Sequence, residues 1–439
     1  MLPINVGIIG LGNVGGGTLR ILADNAREIS RKLGRSLCVR ALCSRSIEMR
    51  LPPAAEAFPG ARRTNDWRQV VGDPNIDIVV ELIGGLETAH EIARASIRAG
   101  KSIVTANKEL MALHGPDLWA EARRAGVRIA MEASVCGGIP IHNVLREGIA
   151  GDRIQALLGI LNGTSNYILS EMERRGETLG TVLAEAQSLG YAEADPTADV
   201  DGYDARSKLS ILAALAFGVR VAPHDIPTEG IRRIREIDFI YAARLGCTIR
   251  LIGSAAADER GLFLSVRPAL LPRSVILASV SGSYNAVWVR GAHGDDTFYY
   301  GRGAGPTPTG VAVVSDLMNI GRELASEASP RVSPFAHEEL EEIAPASLEE
   351  EVRPYYLRFR VRDRPGIVAR LAGILADLDV SIDALLQEPG GDKKDLPFVI
   401  TTDPAAQRAI RHAVDRMCEL DFLVEAPLVL PLERGLAAL

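Results

Sequence analysis

The run Asn5–Leu22, NVGIIGLGNVGGGTLRIL, decides the architecture. Its first half, Asn5–Gly10, is a short apolar stretch suited to a strand buried on both faces, and helical periodicity takes over after the glycines. Gly10, Gly12 and Gly15 complete G-x-G-x-x-G at the junction. There the first glycine allows a tight turn, the second lets backbone approach a pyrophosphate, and the third lets the helix pack closely. The helix N-terminus then offers its N–H groups to phosphate. Gly10, Gly12, Asn13, Val14 and Gly15 are therefore candidates for dinucleotide binding.

Outward from this run, Leu37–Cys43, Ile76–Glu81, Ser102–Thr105 and Val127–Met131 are short apolar runs separated by helical stretches such as residues 88–100. Alternation of this kind signals an open parallel sheet of Rossmann type, whose ligands sit beyond the C-terminal ends of the strands. Residues just past those ends are therefore candidates for ligand contact. After Leu37–Cys43 comes Ser44-Arg45-Ser46, with no acidic residue for a ribose 2′-hydroxyl, so Arg45 is expected to meet a 2′-phosphate and NADP is favoured over NAD. Thr105 and Lys108 lie at another strand end, Lys108 where a nicotinamide ring and its substrate would meet; the plainer alternative is a surface lysine at a helix start. Further on, Gly303, Gly305 and Thr307 belong to a glycine-rich loop that could form a second wall of the same cleft, Gly305 being the cofactor candidate among them.

A second stretch gathers chemistry rather than architecture. In Gly190–Leu212, GYAEADPTADVDGYDARSKLSIL, five carboxylates (Glu193, Asp195, Asp199, Asp201 and Asp204) precede Lys208. The Gly, Pro and Asp of its first part read as a loop, while Leu209, Leu212, Ala213 and Ala216 fall at helical spacing until Gly218. Asp204 and Lys208 then share one face of the first turns. An isolated Asp/Lys pair is usually a surface salt bridge. The extra carboxylates point to a pocket for a polar, cationic small molecule. Between these two stretches, Asn162-Gly163-Thr164-Ser165-Asn166 is a polar turn from strand into helix, a natural place for hydrogen bonds to a ligand.

Length and composition bound the rest. A chain of 439 residues suggests about three domains, and 47% hydrophobic with 24% charged residues is the mixture of a soluble globular protein. A net charge of -7 without any Lys/Arg-rich run argues against nucleic acid. Five scattered cysteines without C-x-x-C spacing fit a reducing cytoplasm, and the N-terminus has no signal-peptide pattern. No apolar stretch approaches the ~18 residues needed to span a bilayer. The expected layout is a dinucleotide-binding domain over residues 1–135, completed by a helix within 306–326. An α+β substrate and dimerisation domain with an antiparallel sheet comes next, over 136–305, SVILASV (274–280) counting among its β-rich segments. A Pro-, Ser- and Glu-rich linker, 327–353, leads to a βαββαβ module of ferredoxin-like type over 354–433.

The motifs GLGNVG, VTANKEL, EASVCGGIPI, LNGTSNYIL, GYAEADPTADVDGYDARSKL and GRGAGPTPT, in this order, resemble those of homoserine dehydrogenase over nearly the whole chain. The tail DRPGIVARLAGILADLDVSIDALLQ resembles an ACT domain, a regulatory module that commonly binds amino acids. The resemblance implies reversible NAD(P)H-dependent reduction of L-aspartate 4-semialdehyde to L-homoserine, on the route to threonine, methionine and isoleucine. It places Lys108 and Lys208 at the active-site lysines, Lys208 as proton donor, and Glu193 and Asp199, with Asp204 beside them, at the substrate-binding acids. It also implies a monovalent cation, often sodium, at Glu132, Val135, Gly137 and Ile139, with Cys136 standing where small residues are usual. Threonine at the ACT domain is the first candidate effector, and a homodimer or tetramer the expected assembly. Two other readings remain open: an amino-acid sensor that has lost catalysis, against which the two lysines speak, and a dehydrogenase of another small semialdehyde.

Overall fold

In the computed structural model, which describes residues 3–325, 333–337 and 339–433, the apolar run near the N-terminus becomes β1 (Ile4–Ile9). With β2 (Leu37–Cys43), β3 (Arg62–Thr64), β4 (Ile78–Glu81), β5 (Ser102–Thr105) and β6 (Ile129–Ala130) it forms a parallel sheet of order β3-β2-β1-β4-β5-β6. The chain builds outward from β1 through β2 to β3, then returns to lay β4 on the other side of β1. That reversal leaves a crevice at the C-terminal ends of β1 and β4, where doubly wound sheets bind their ligands.

The helices α1 (Asn13–Asp24), α2 (Ala26–Leu33), α3 (Arg68–Val71), α4 (Glu87–Arg98) and α5 (Lys108–Ala125) alternate with the strands in sequence. The helix Pro306–Ala325 buries Ala312, Val313, Val314, Leu317 and Ile320 in the same core as Ile4, Val6 and Ile8 of β1. It meets α1 backbone to backbone. A Cβ at Gly17 would collide with the carbonyl of Pro306.

Two compact units emerge, and they are not the domains read along the chain. The first comprises Met1–Ile154, Ser207–Asp225 and Asn285–Ala344, the second Gln155–Arg206, Ile226–Tyr284 and Pro345–Leu439. The stretch 136–305, expected as one domain, is thus shared between them, because the dinucleotide-binding unit recruits pieces of chain far from it in sequence. Part of the supposed linker is likewise packed structure within the first unit. Phe335 is buried, its ring against Gly115 of α5, and Glu341–Glu342 pair in parallel with Val219–Arg220. Residues 327–332 and 338 of that stretch lie outside the described residues.

In the second unit the strands Ile154–Ile160, Cys247–Asp258 and Gly261–Pro272 pair antiparallel. SVILASV is no strand: Ile276–Ser279 makes a short 3-10 turn that buries Leu277 and Ala278. The C-terminal module has four antiparallel strands in the order Ile382–Gln387, Leu396–Thr402, Tyr355–Val361, Leu428–Pro431, with helices Ile367–Ala376 and Gln407–Cys418. This is the ferredoxin-like arrangement. The module is anchored on the helix Glu236–Arg244, where the fully buried Asp238 accepts from Arg358, from the Tyr356 hydroxyl at 2.7 Å and from the Arg235 backbone N–H at 2.8 Å. The buried Glu351, in the same supposed linker, pairs with Arg267 of the strand Gly261–Pro272.

Candidate active site

The crevice of the first unit is a cleft of ≈ 970 Å³ lined by Gly10, Gly12 and Asn13 of the glycine run, by Ser44, Arg45 and Ser46 after β2, by Leu82 and Ile83 after β4, and by Pro306 and Thr307. The three glycines of the motif differ in their surroundings. Gly10 adopts φ 102, a Cβ at Gly15 would strike the Gly10 carbonyl, and a Cβ at Gly12 would have nothing within 4 Å and point into open space. No side chain caps the N-terminus of α1. An uncapped helix start beside an open glycine is the cradle a pyrophosphate needs. Val14, Gly15, Thr105, Lys108 and Gly305 do not line this cleft. Arg20 and Arg50 do, although neither lies in a motif that marks it in the sequence.

A buried hydrogen-bond chain shapes the ground in front of β4 and β5. Glu81, the last residue of β4, accepts from the Thr105 hydroxyl at 2.6 Å and from the Ile83 N–H at 2.8 Å. Thr105 Oγ1 accepts in turn from the Asn107 N–H at 3.0 Å. Asn107 caps α5 by accepting from the Leu110 N–H at 3.0 Å, while its Nδ2 donates to the Gly85 carbonyl. Lys108 is thereby fixed as the first residue of α5 and is half-buried. Burial raises the Glu81 pKa, which the Thr105 hydroxyl partly offsets. A carboxylate ending an apolar strand is the available sequence signal for Glu81.

Glu132 lies after β6 and is buried, its carboxylate accepting from the backbone N–H groups of His142 and Asn143, each at 2.9 Å. Its own N–H donates to Asp316, at 2.9 Å. Burial pushes Glu132 up to about 7, and burial together with the neighbouring Glu132 pushes Asp316 up to about 8. Beyond Glu132 the chain passes Val135, Cys136 at φ 50, Gly137 and Ile139 in a tight loop, closed by the Ile139 N–H on the Cys136 carbonyl at 2.6 Å. The Cys136 thiol accepts from Asn285 at 3.4 Å. Asp316 carries no sequence signal, since it is a lone acid within a helix.

In the second unit the acidic stretch resolves into different tasks. Asp201 pairs with Arg232, and Asp195 accepts from the Thr197 N–H at 3.0 Å, so these two serve the loop itself. Asp199 and Asp204 converge on one side chain: Asn162 Nδ2 donates to Asp199 at 2.6 Å and to Asp204 at 2.8 Å. Glu193 is exposed, and its backbone carbonyl accepts from Gln187 at 3.0 Å. The helix Tyr203–Phe217 has Asp204 in its first turn and Lys208 one turn later, where the chain has passed into the first unit. Lys208 is 8% exposed, not the residue of a polar surface that an Asp/Lys pair at a helix start suggests. The reason is visible in its neighbours along the helix, where Leu209, Ile211, Leu212 and Ala213 are all buried.

Comparison with known proteins gives the family. The family model described as "Homoserine dehydrogenase, NAD binding domain" matches residues 10–132, "Homoserine dehydrogenase" matches 140–318, and "ACT domain" matches 355–422. The homoserine dehydrogenase of Pseudomonas aeruginosa is 42% identical over 98% of both chains, and that of Bacillus subtilis 36% identical over 97% of both. Among solved structures, a homoserine dehydrogenase from Thiobacillus denitrificans superposes with a TM-score of 0.90 at 43% identity, covering 98% of each chain. A hyperthermophilic archaeal homoserine dehydrogenase mutant in complex with NADPH gives a TM-score of 0.63 at 28% identity, over 75% of this chain and 100% of that one.

Proposed function

The chain belongs to the homoserine dehydrogenase family of oxidoreductases with a nicotinamide-cofactor domain, and from that premise we propose that it interconverts L-aspartate 4-semialdehyde and L-homoserine with NADPH, as a cytoplasmic homodimer or tetramer. One observation carries the site assignment. The helix Tyr203–Phe217 starts with a carboxylate tied to Asp199 through Asn162 and presents the buried Lys208 a turn later. Hydride delivered to the aldehyde carbon leaves negative charge on oxygen, and Lys208 stabilises and protonates that alkoxide. Asp199 and Asp204, with Glu193 on the same loop, hold the ammonium end of the substrate. Lys108, set by the Asn107 cap, is the second active-site lysine. Thr105 and Gly305 belong to the cofactor's surroundings together with the glycine run. The bound nicotinamide supplies the hydride.

A monovalent cation, sodium first, would be held by the Glu132 carboxylate and the carbonyls of Val135, Gly137 and Ile139. Glu132 and Asp316 are two buried carboxylates in adjacent positions, the Glu132 N–H donating to Asp316 at 2.9 Å, and a neighbouring cation would offset the charge of such a pair. The C-terminal module is proposed to sense threonine at the start of its helix Ile367–Ala376, capped by Gly366 in the left-handed conformation at φ 92, where backbone N–H groups favour a carboxylate. All five cysteines are free thiols, in keeping with the cytoplasm, and among the described residues no helix is long and apolar enough to cross a membrane.

The test is oxidation of NADPH by the full chain with aspartate semialdehyde, run in sodium and in tetramethylammonium buffers, with and without threonine. Turnover that needs a small monovalent cation and falls with threonine is expected. No turnover with this aldehyde refutes the activity, and indifference to cation or to threonine removes that part alone.

Cofactor choice has its own check. The archaeal relative bound to NADPH, and Arg45 beside Ser44 and Ser46 in the cleft, favour a 2′-phosphate partner. Arg45→Ala is expected to weaken NADPH by ~1–3 kcal/mol, the scale of a charge-assisted hydrogen bond, and to leave NADH nearly unchanged. A parallel loss for both cofactors, or for neither, in KM measurements rules the assignment out.

A further inference from the structure

We propose that Asn162 is a positioning residue for the substrate, its single amide group holding the Asp199 and Asp204 carboxylates at a fixed spacing; this rests on the reading of those two acids as the ammonium site. Asn162 sits at the junction between the strand Ile154–Ile160 and the helix Gly163–Arg175, and is 5% exposed. Its Oδ1 accepts from the Ser165 N–H at 2.7 Å and so caps the helix. That bond fixes the sense of the amide. Turned over, it would aim Nδ2 at an N–H and its oxygen at two carboxylates.

Both hydrogens of Nδ2 are therefore committed, one to Asp199 at 2.6 Å and one to Asp204 at 2.8 Å. The two acids reach it from different elements, Asp199 from the short helix Thr197–Val200 and Asp204 from the start of the helix Tyr203–Phe217. Oxygens that share one nitrogen at such distances lie within about 5 Å of each other, where two carboxylates repel unless donors hold them.

The residue type is itself informative. Capping alone would be met as well by Ser, Thr or Asp. Of the usual capping side chains, only asparagine accepts one hydrogen bond while donating two. Capping does not explain that choice and the two carboxylates do. An ammonium ion seeks several oxygens in a compact cluster, and preorganising them lowers the cost of binding it.

Asn162→Ser keeps a capping oxygen and loses the double donor. In the full chain it is expected to raise the KM for aspartate semialdehyde about tenfold, the worth of a charge-assisted hydrogen bond, with the NADPH KM within about twofold and the melting temperature within a few degrees of the parent. In an Asp199→Ala background the same change should raise KM less than about threefold, because the two residues act through one contact. A parent-like KM for the aldehyde, or equal shifts in both KM values together with a lower melting temperature, overturns the proposal. If the serine variant does not fold, Asn162→Asp retains shape and cap without any N–H, and the same split in KM decides. Asp199→Ala with an unchanged aldehyde KM defeats the ammonium-site reading itself, whereas a raised KM there beside a parent-like Asn162→Ser defeats only the positioning role.

Discussion

Replacing Lys208 by methionine is expected to lower kcat by about 10²-fold or more, the usual loss when a positioned proton donor is removed, while leaving the fold intact. Methionine is the informative replacement because Lys208 is buried. Its unbranched stem fills much of the same space, whereas alanine would add a cavity cost of about 2–5 kcal/mol, as for other long buried side chains, and confuse lost chemistry with lost stability. Single-turnover oxidation of NADPH with saturating aldehyde, beside a thermal melt, separates the two. Parent-like turnover in a folded Lys208→Met protein would end the assignment of this lysine as donor.

The second large effect is on stability. Asp238 is fully buried beneath the C-terminal module and answered by Arg358, Tyr356 and the Arg235 backbone. Arg358→Ala strands that carboxylate without its countercharge, and breaking a buried pair from one side costs about 3–5 kcal/mol. Urea unfolding should show a loss of that size. The double variant Asp238→Asn with Arg358→Met should lose clearly less than the sum of its single changes, since no uncompensated charge remains. Additive losses would mean that the pair is not a coupled unit. The same network makes removal of residues from about 350 onward a poor way to study regulation, because truncation would leave Asp238 without Arg358 and Tyr356.

Much of this is legible in the sequence because it is local. Leu37–Cys43 and Ser102–Thr105 are strands over the very residues whose apolar runs announce them, and the glycine run lies at the turn between β1 and α1. The order of elements in the C-terminal module is readable from periodicity alone. The hidden part depends on partners distant in sequence. Asp201 reads as one more acid of the cluster, yet Arg232, far along the chain, claims it. Lys208 reads as half of an Asp/Lys pair beside extra carboxylates, but its depth of burial is hidden, because helical spacing describes a face and not what covers it. The Ser274–Val280 run is short and apolar enough for a strand, and only its packing makes it a turn. Asn162 stands out as part of a polar turn, but its grip on two acids well downstream is a tertiary fact.

The glycine-rich start of α1 also bears on how mutational tolerance along this chain is to be interpreted. Gly12 and Gly17 lie in one run and would look alike in any table of intolerant positions, yet different pressures bear on them. A methyl group at Gly12 meets only the open cleft, so selection there acts through the ligand and relaxes wherever the ligand is dispensable. One at Gly17 meets the backbone of Pro306, so selection there acts through assembly of the unit and would persist in a descendant that had abandoned catalysis. A lineage turning from enzyme to regulator would therefore be expected to lose the first glycine and keep the second.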